Sequence, residues 1–140
     1  MKNELDFLAK KYNTDKSSAN HGYTSFYWEF FKDKYKEINN VLEIGVLNGS
    51  SVKMWKDFFV NANIKAIDIN PSCKRFEEER IEILIGEQQN HDFLKKEIAD
   101  KNMFFDFIID DGSHLSEHQI QSFEYLFTNC LSSGGVYIIE

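Results

Sequence analysis

The sequence predicts an α/β fold in which helices cover both faces of a doubly wound parallel sheet. From residue 41 onward, short apolar segments of strand length alternate with longer segments of helical pattern. The apolar segments are almost continuous, as in strands buried on both faces, and do not alternate with polar residues. We therefore expect five parallel strands joined by right-handed crossovers, in the spatial order 3-2-1-4-5.

Each expected element follows from its own pattern. Apolar residues at helical spacing predict a helix over residues 3–12, and an aromatic-rich segment predicts another over residues 25–38. The predicted strands cover residues 41–45, 64–69, 81–86, 104–110 and 134–140. The helices between them cover residues 49–60, 71–80, 91–101 and 115–131. This order divides the chain into a helical leader or lid, residues 1–40, and a ligand-binding domain, residues 41–140.

Composition excludes several classes of function. The 140 residues suffice for one domain with a real core, and the net charge of -7 disfavours a nucleic-acid partner. No apolar segment is long enough to span a membrane, and the first residues lack the apolar core of a signal peptide. Cys73 and Cys130 have no metal-ligand spacing, so we expect a reduced, cytoplasmic protein.

Polar and glycine residues follow every predicted strand. Ligands of doubly wound folds bind at the carboxyl ends of the strands, so this edge is the expected site. The first strand carries Glu43 and Gly45, and the fifth ends in Glu140. The others end in Asp68, in Glu87-Gln88 and in Asp110-Asp111. Such a collection at one edge of the sheet is hard to explain by folding alone.

The turn after the first strand, EIGVLNGSS, predicts a ligand smaller than a dinucleotide. Gly45 and Gly49 precede a helix whose free N–H groups suit an anion or a carboxylate. Their spacing is G-x-x-x-G, with Leu47 where the dinucleotide fingerprint has its second glycine. An oxidoreductase that uses a dinucleotide is therefore disfavoured. The alternative for the two glycines is a turn that needs them only for its geometry.

The next two strand ends favour an adenosine-type ligand. Asp68 lies where an acid commonly accepts both ribose hydroxyls. Glu87 and Gln88 would lie near an adenine ring, where an acid or an amide can recognise the exocyclic amine. Many strands end in Glu or Gln, so this second signal is weak by itself.

The segment DFIIDDGSHLSEH has the composition of a reaction centre. Asp110, Asp111 and Glu140 should converge at neighbouring strand ends, where like charges need a compensating cation or proton. Oxygen ligands favour Mg²⁺. His114 can act as a general base, or it can be an unreactive neighbour of a helix start. His118 can face the same site or pack locally, and zinc held by Asp111 and both histidines is a weaker alternative.

Together, the segments EIGVLNGSSVKMW, AIDI, FIIDDGSH and SSGGVYIIE resemble the class I S-adenosylmethionine-dependent methyltransferases, which have a Rossmann-like fold. More narrowly, they resemble the metal-dependent macrolide-sugar O-methyltransferases of the mycinose and macrocin type, with kinship to the cephalosporin-hydroxylase-like proteins. The N-terminal YNTDKSSANHGYT is similar to the leader of that group, whose usual form has Gly in place of Asn13. Within this leader, His21 and Tyr23 could reach a site, although a solvated loop is the simpler interpretation.

The resemblance implies roles for named residues. Glu43, Gly45, Gly49 and Asp68 would hold S-adenosylmethionine, and Asp111 and Glu140 would hold Mg²⁺. His114 would be the base. We also assign Ser51, Glu87, Gln88 and Asp110 to cofactor binding.

Two departures from the family pattern affect these expectations. The family usually has Asp in place of Glu87, and its fifth strand ends in Glu-Asp where this chain ends at Glu140. The last two strands of the seven-stranded methyltransferase sheet are also missing, so we expect a truncated chain whose fifth strand is an exposed apolar edge.

The expected function is a Mg²⁺-assisted transfer of a methyl group from S-adenosylmethionine to a sugar hydroxyl of a glycoside or saccharide precursor. The alternative is a non-catalytic module that binds S-adenosylmethionine or another nucleoside, or that serves in assembly. A homo-oligomer is possible, and no nucleic acid or membrane is expected as a partner.

Overall fold

The computed structural model describes residues 2–140, in which five parallel strands form one sheet. The strands are β1 (Asn40–Ile44), β2 (Asn63–Asp68), β3 (Ile81–Ile85), β4 (Phe105–Asp110) and β5 (Leu131–Ile139). The helices are α1 (Glu4–Lys11), α2 (Tyr23–Phe31), α3 (Ser50–Phe58), α4 (His91–Glu97) and α5 (Ser116–Asn129). The strand order is β3-β2-β1-β4-β5 and all pairs are parallel, which confirms the predicted fold class and order.

Several predicted helices are shorter in the structure. The second helix ends at Phe31, and turns follow where the prediction had continued it to residue 38. Residues 71–76 form a 3₁₀ helix that stops at Glu77, whose backbone is extended. Glu78 then forms a bridge with Ile81, so the chain cannot remain helical up to β3. The sequence pattern did not reveal these ends because the polar residues there fit a helix surface as well as a turn.

The fifth strand starts three residues earlier than predicted. Leu131 already pairs with Phe105, whereas the next regular pair is Phe107 with Val136. The intervening residues bulge, and Gly134 adopts a left-handed backbone with φ of +76°. The serines and glycines at 132–135 had indicated a turn before the strand, whereas they form an irregularity within it.

The core lies on both faces of the sheet, because alternate strand residues point to opposite sides. On β4, Phe107 and Ile109 join the core with α1, α2 and α3, whereas Ile108 between them joins the core with α4 and α5. From the leader, Leu5, Tyr27 and Phe31 are fully buried in the first core. The leader is therefore packed onto the same sheet as the domain it precedes, and the aromatic side chains of α2 lie partly in this core.

Two smaller observations concern the environment of the protein. Cys73 and Cys130 are both buried free thiols. Within the described part of the chain, no helix is long and apolar enough to span a membrane.

Candidate functional site

A cavity of about 530 Å³ opens at the carboxyl edge of the sheet. Its walls come from the loops that follow β1, β2, β3 and β4, and its volume is typical of a small-molecule site. The leader contributes a further part of the wall through Asn13, Thr14 and Asp15. Five of the strand-end residues singled out by the sequence therefore line one common space: Gly45, Asp68, Glu87, Gln88 and Asp111.

The turn after β1 requires glycine for two different reasons. Gly45 has φ of +96°, and a Cβ there would overlap the carbonyl oxygen of Asp111, so the loops after β1 and β4 can touch only with glycine at this position. Gly49 has φ of +77° and directly precedes α3, and its Cβ would lie 2.7 Å from the ring of Phe76. Gly45 lines the cavity, while Gly49 shapes the turn behind it.

Asp68 holds this turn in place from the end of β2. The backbone N–H groups of Val46 and Leu47 donate to its Oδ2, at 2.9 and 3.3 Å, and the N–H of Asn70 donates to Oδ1 at 2.9 Å. Each carboxylate oxygen can accept more than these bonds provide. Asp68 lines the cavity, so it retains acceptor capacity for hydroxyl groups of a ligand.

Glu87 and Gln88 differ in their freedom to meet a ligand. Glu87 is an exposed residue of the cavity wall. Gln88 is buried, and its Nε2 donates to Asp110 Oδ2 at 3.0 Å and to Ser122 Oγ at 3.1 Å. Its Oε1 accepts from the N–H of Ser113 at 2.9 Å. The amide of Gln88 is thus largely occupied in bracing the loop after β4.

Two predicted cofactor ligands lie behind the cavity wall. Glu43 and Asp110 are fully buried, and neither lines the cavity. Asp110 accepts from the Gly112 N–H at 3.1 Å, and burial raises the pKa of its carboxyl group. Burial likewise raises the pKa of Glu43 to about 7, although Lys16 opposes this rise. The structure thus places both carboxylates behind the wall, and their assignment to cofactor binding stays a prediction.

Ser51 connects the wall to this buried layer. It lines the cavity, and its hydroxyl donates to Glu43 Oε2 at 2.8 Å. Because α3 begins at Ser50, this bond fixes the first turn of the helix to β1.

The carboxylates at the ends of β1, β4 and β5 surround the ammonium group of Lys16. Its Nζ donates to Asp111 Oδ2 and to Glu140 Oε2, both at 2.6 Å, and lies 3.8 Å from Glu43 Oε1. The hydroxyl of Tyr27 donates to Glu140 Oε1 at 2.5 Å. We call Glu43, Asp111, Glu140 and Lys16 the carboxylate cluster. The positive charge that compensates these carboxylates is therefore the ammonium group of Lys16, which belongs to the leader.

The electrostatics of the cluster keep Lys16 charged. Its side chain is 0% exposed, and this burial by itself lowers its pKa. Attraction to Glu43, Glu140 and Asp111 outweighs the burial and raises the pKa above the usual range for lysine. Burial also raises the pKa of Glu140, whereas its contact with Lys16 acts in the opposite direction.

The two histidines of the loop after β4 both line the cavity. His114 has a left-handed backbone and a side chain that is 58% exposed, with Nε2 3.3 Å from Asp111 Oδ1. His118 Nδ1 lies 2.9 Å from the hydroxyl of Ser113. His118, for which the sequence allowed either a site position or local packing, therefore faces the cavity and contacts the serine of the D-G-S-H turn.

Metal binding was predicted from hard oxygen donors. Asp111 and Glu140 do converge on one cation position, the Lys16 ammonium, so their chemistry and spacing fit a small hard ion. Across residues 2–140, no three His, Cys, Asp or Glu side chains are grouped to hold a metal ion, which holds for Mg²⁺ as well as for the zinc alternative. The support for Mg²⁺ is therefore the pair Asp111 and Glu140 alone, and Mg²⁺ commonly uses one or two carboxylates together with water.

Sequence reasoning missed the contribution of the leader. Lys16 lies 95 residues from Asp111 and 124 from Glu140, so no local spacing could indicate the contact. Tyr27 was interpreted only as part of an aromatic belt. Conversely, His21 and Tyr23 stack on each other with ring centroids 5.3 Å apart, and the cavity wall does not include them.

Comparisons with known proteins agree with the geometry. No protein-family model matches the chain. The demethylmacrocin O-methyltransferase of Streptomyces fradiae and the mycinamicin VI 2''-O-methyltransferase of Micromonospora griseorubida are each 37% identical to it across 99% of its length. The chain spans 36% of the length of each of these proteins.

A solved structure gives the same result in three dimensions. The MycE methyltransferase of the mycinamycin biosynthetic pathway, in complex with Mg, SAH and mycinamycin VI, superposes with a TM-score of 0.89 at 37% identity. The match covers 97% of this chain and 38% of that one. This chain therefore has the α/β methyltransferase fold, and nearly its whole length is similar to about a third of each of these O-methyltransferases.

Proposed function

We propose that the cavity binds S-adenosylmethionine and that the chain serves a Mg²⁺-assisted O-methyltransferase acting on a sugar hydroxyl of a glycoside. The observation that carries this proposal is a juxtaposition. One sheet edge places the turn over residues 45–51 and Asp68 beside Asp111 and His114, in a single cavity. The relatives at 37% identity are named as O-methyltransferases, and a further relative at 34% identity is named for O-methylation of a rhamnosyl-tetracenomycin, which agrees with this combination.

The residues on the cofactor side of the cavity have different roles. Asp68 accepts the ribose hydroxyls, because it retains acceptor capacity on both oxygens. Glu87 is the better candidate for adenine, because the amide of Gln88 is already engaged. Gly45 and Ser51 form the wall of the turn, while Gly49, Glu43 and Asp110 hold it from behind.

On the side of the cavity where methyl transfer would occur, the chain provides two carboxylates and an imidazole. Asp111 and Glu140 would hold Mg²⁺, which when bound lowers the pKa of a coordinated hydroxyl. His114 removes the hydroxyl proton, and its Nε2 lies 3.3 Å from Asp111 Oδ1, next to the carboxylate that would hold the metal. The cavity walls orient acceptor oxygen and donor methyl group, so that proximity supplies much of the rate increase.

The wider assignments also remain proposals. Asn13, Thr14 and Asp15 at the cavity support a lid role for residues 1–40 beside the domain of residues 41–140. The buried free thiols support a reducing, cytoplasmic location. Exposed apolar side chains such as Phe127 and Ile139 near the sheet edge support a homo-oligomer.

A non-catalytic nucleoside-binding module is the second candidate. The observation in its favour is Lys16, which neutralises the same carboxylates that a metal would use. Titration calorimetry with S-adenosylhomocysteine, with and without Mg²⁺, separates the two. We expect one nucleoside site per chain and a measurable effect of Mg²⁺. Binding without a metal effect or turnover supports the module, and absence of binding contradicts both.

The role of His114 has a direct test. With labelled S-adenosylmethionine and mycinamicin VI as acceptor probe, His114→Ala should reduce methyl transfer about 100-fold or more, the usual contribution of a general base. His91→Ala is the matched control, because His91 contacts the carbonyl of Gln121 and the Tyr125 ring away from the cavity. Equal activity of the two variants would contradict the assignment of the base.

A further inference from the structure

Lys16 is a buried side chain of the site to which the proposed reaction gives no role. It is fully buried, and its ammonium group touches two carboxylates that the proposed function assigns to Mg²⁺. The third carboxylate, Glu43, lies at 3.8 Å. A lysine that served only to attach the leader would need neither this depth nor three acidic neighbours.

The backbone around Lys16 is fixed from both leader helices. Its carbonyl accepts from the N–H of Thr24 at 3.1 Å, and the hydroxyl of Thr24 donates to Asp6 of α1 at 2.8 Å. Asp6 also accepts from the N–H and the hydroxyl of Ser18, at 2.7 and 2.8 Å. The loop that carries Lys16 is therefore held by hydrogen bonds from both helices, and this fixes the position of the ammonium group in the carboxylate cluster.

The carboxylates also have few alternatives to this cation. Glu140 is 6% exposed at its side chain and Glu43 is fully buried, so water cannot solvate their charges well. Without a cation, three close acids would repel one another and separate. With the ammonium present, Asp111 and Glu140 stay close enough to each other to bind one shared cation.

We propose that Lys16 is a positioning residue: it acts as a resident cation that keeps Asp111 and Glu140 together and competes with a divalent ion for them. This inference rests on the proposed function, because it concerns the same metal ligands. Two consequences follow. The site is organised before the metal binds, and the metal binds more weakly than three acids alone would allow.

The test uses Mn²⁺ as the probe, with bound ion measured by electron paramagnetic resonance and stability by thermal unfolding. Lys16→Met should lower the melting temperature in the presence of EDTA, because the cluster loses its counter-charge. Mn²⁺ should then restore most of that loss and should bind at least ten-fold more tightly than to the wild-type chain. Lys16→Arg keeps the charge and should retain affinity within about three-fold of wild type.

Lys65→Met is the matched control. Lys65 is also a buried lysine and pairs with one acid, Glu82, at the opposite end of the sheet. Its loss should lower the melting temperature without any recovery by Mn²⁺. This comparison separates the cluster effect from the general effect of removing a buried ammonium group.

Unchanged or weaker Mn²⁺ binding by Lys16→Met would overturn the inference, as would equal recovery of the Lys65→Met control. If Lys16→Met does not fold in EDTA, Lys16→Gln with Mn²⁺ added provides the same comparison. S-adenosylhomocysteine is titrated into the same samples. Tighter Mn²⁺ binding without nucleoside binding would contradict the proposed function alone, whereas nucleoside binding without the Mn²⁺ effect would contradict the inference alone.

Discussion

The two halves of the carboxyl edge differ in how their charges are satisfied. Around the turn of residues 45–51, Asp68 and Glu87 line an open cavity and retain capacity for a ligand. In the carboxylate cluster, Asp111 and Glu140 already share a cation that the chain itself provides. Under the proposed function, one half would receive a ligand from solution, whereas the other half is organised internally and would exchange or share its cation with a metal ion.

Gly45 joins the two halves, so its replacement should have the largest effect. Gly45→Ala places a Cβ against the Asp111 carbonyl oxygen at a strained φ, and we expect a loss of more than about 3 kcal/mol in unfolding free energy. Gly134→Ala is the matched control, since it has φ of +76° but no neighbouring atom within 4 Å. It should lose about 1–2 kcal/mol. Similar losses in urea unfolding would contradict the close approach of the two loops.

Gln88 tests whether the wall is braced from behind. Gln88→Leu keeps a similar volume but removes the hydrogen bonds that the Gln88 amide makes with Asp110 and with the Ser113 N–H. We expect a loss of about 2–3 kcal/mol in unfolding free energy. Gln89→Leu, at the next position of the same loop, should change stability by less than about 0.5 kcal/mol. If the reverse order is observed, Gln88 is a ligand-facing residue and not a brace.

Asp68 tests the open half by itself. Asp68→Asn removes the negative charge while keeping one oxygen acceptor, so the fold should persist and S-adenosylhomocysteine affinity should fall about ten-fold, equivalent to about 1.4 kcal/mol. Asp92→Asn provides the control, because Asp92 lies in the first turn of α4 and not in the cavity wall. Calorimetry that gives equal affinities for both variants would show that Asp68 serves only to hold the turn.

The loop that carries Lys16 depends on Asp6, and here we expect the smallest effect. Partial burial alone would raise the pKa of Asp6, but hydrogen bonds from Lys10, Ser18 and Thr24 outweigh it and lower the pKa below its usual value. The folded-state pKa thus lies below the unfolded-state value of about 3.8. Its stabilising contribution is therefore complete above that pH and is lost as the pH falls through the folded-state pKa.

Asp6→Asn should consequently cost about 1 kcal/mol at neutral pH and progressively less below pH ~4. Chemical unfolding of both proteins across pH 2.5–7 measures this difference. Asp33→Asn serves as a control on the turn after α2. A difference that grows as the pH falls would contradict the assigned direction of the shift.

The sequence predicted the architecture because the relevant signals are local. Continuous apolar segments marked the strands, and acids or glycines marked their carboxyl ends, so β1 to β4 were placed within one or two residues. Asp68, Asp111 and His114 line the common cavity for the same reason. The early start of β5 was not predicted, because the pairing of Leu131 with Phe105 depends on a bulge and not on the hydrophobic pattern of the sequence.

The organisation of the site was less predictable, because it depends on how deeply each side chain is buried and on contacts between residues that are distant in sequence. Spacing brought Glu43 and Asp110 to the correct edge, but it could not show that both lie behind the wall. Lys16 carried no signal in a polar loop, since its partners follow about a hundred residues later. The sequence predicted a cation or a proton among the acids, and only the structure shows that the Lys16 ammonium lies there.

The most direct test of the central claim is a nuclear magnetic resonance titration of the ¹⁵N-labelled chain with S-adenosylhomocysteine. We expect the backbone amide signals of Leu47, Asp68 and Glu87 to shift together and to saturate at one nucleoside per chain. Asn102 and Phe104, which line a second cavity at the opposite end of the sheet, should remain unchanged. Shifts confined to Asn102 and Phe104, or no saturable shifts, would contradict a nucleoside site at the carboxyl edge.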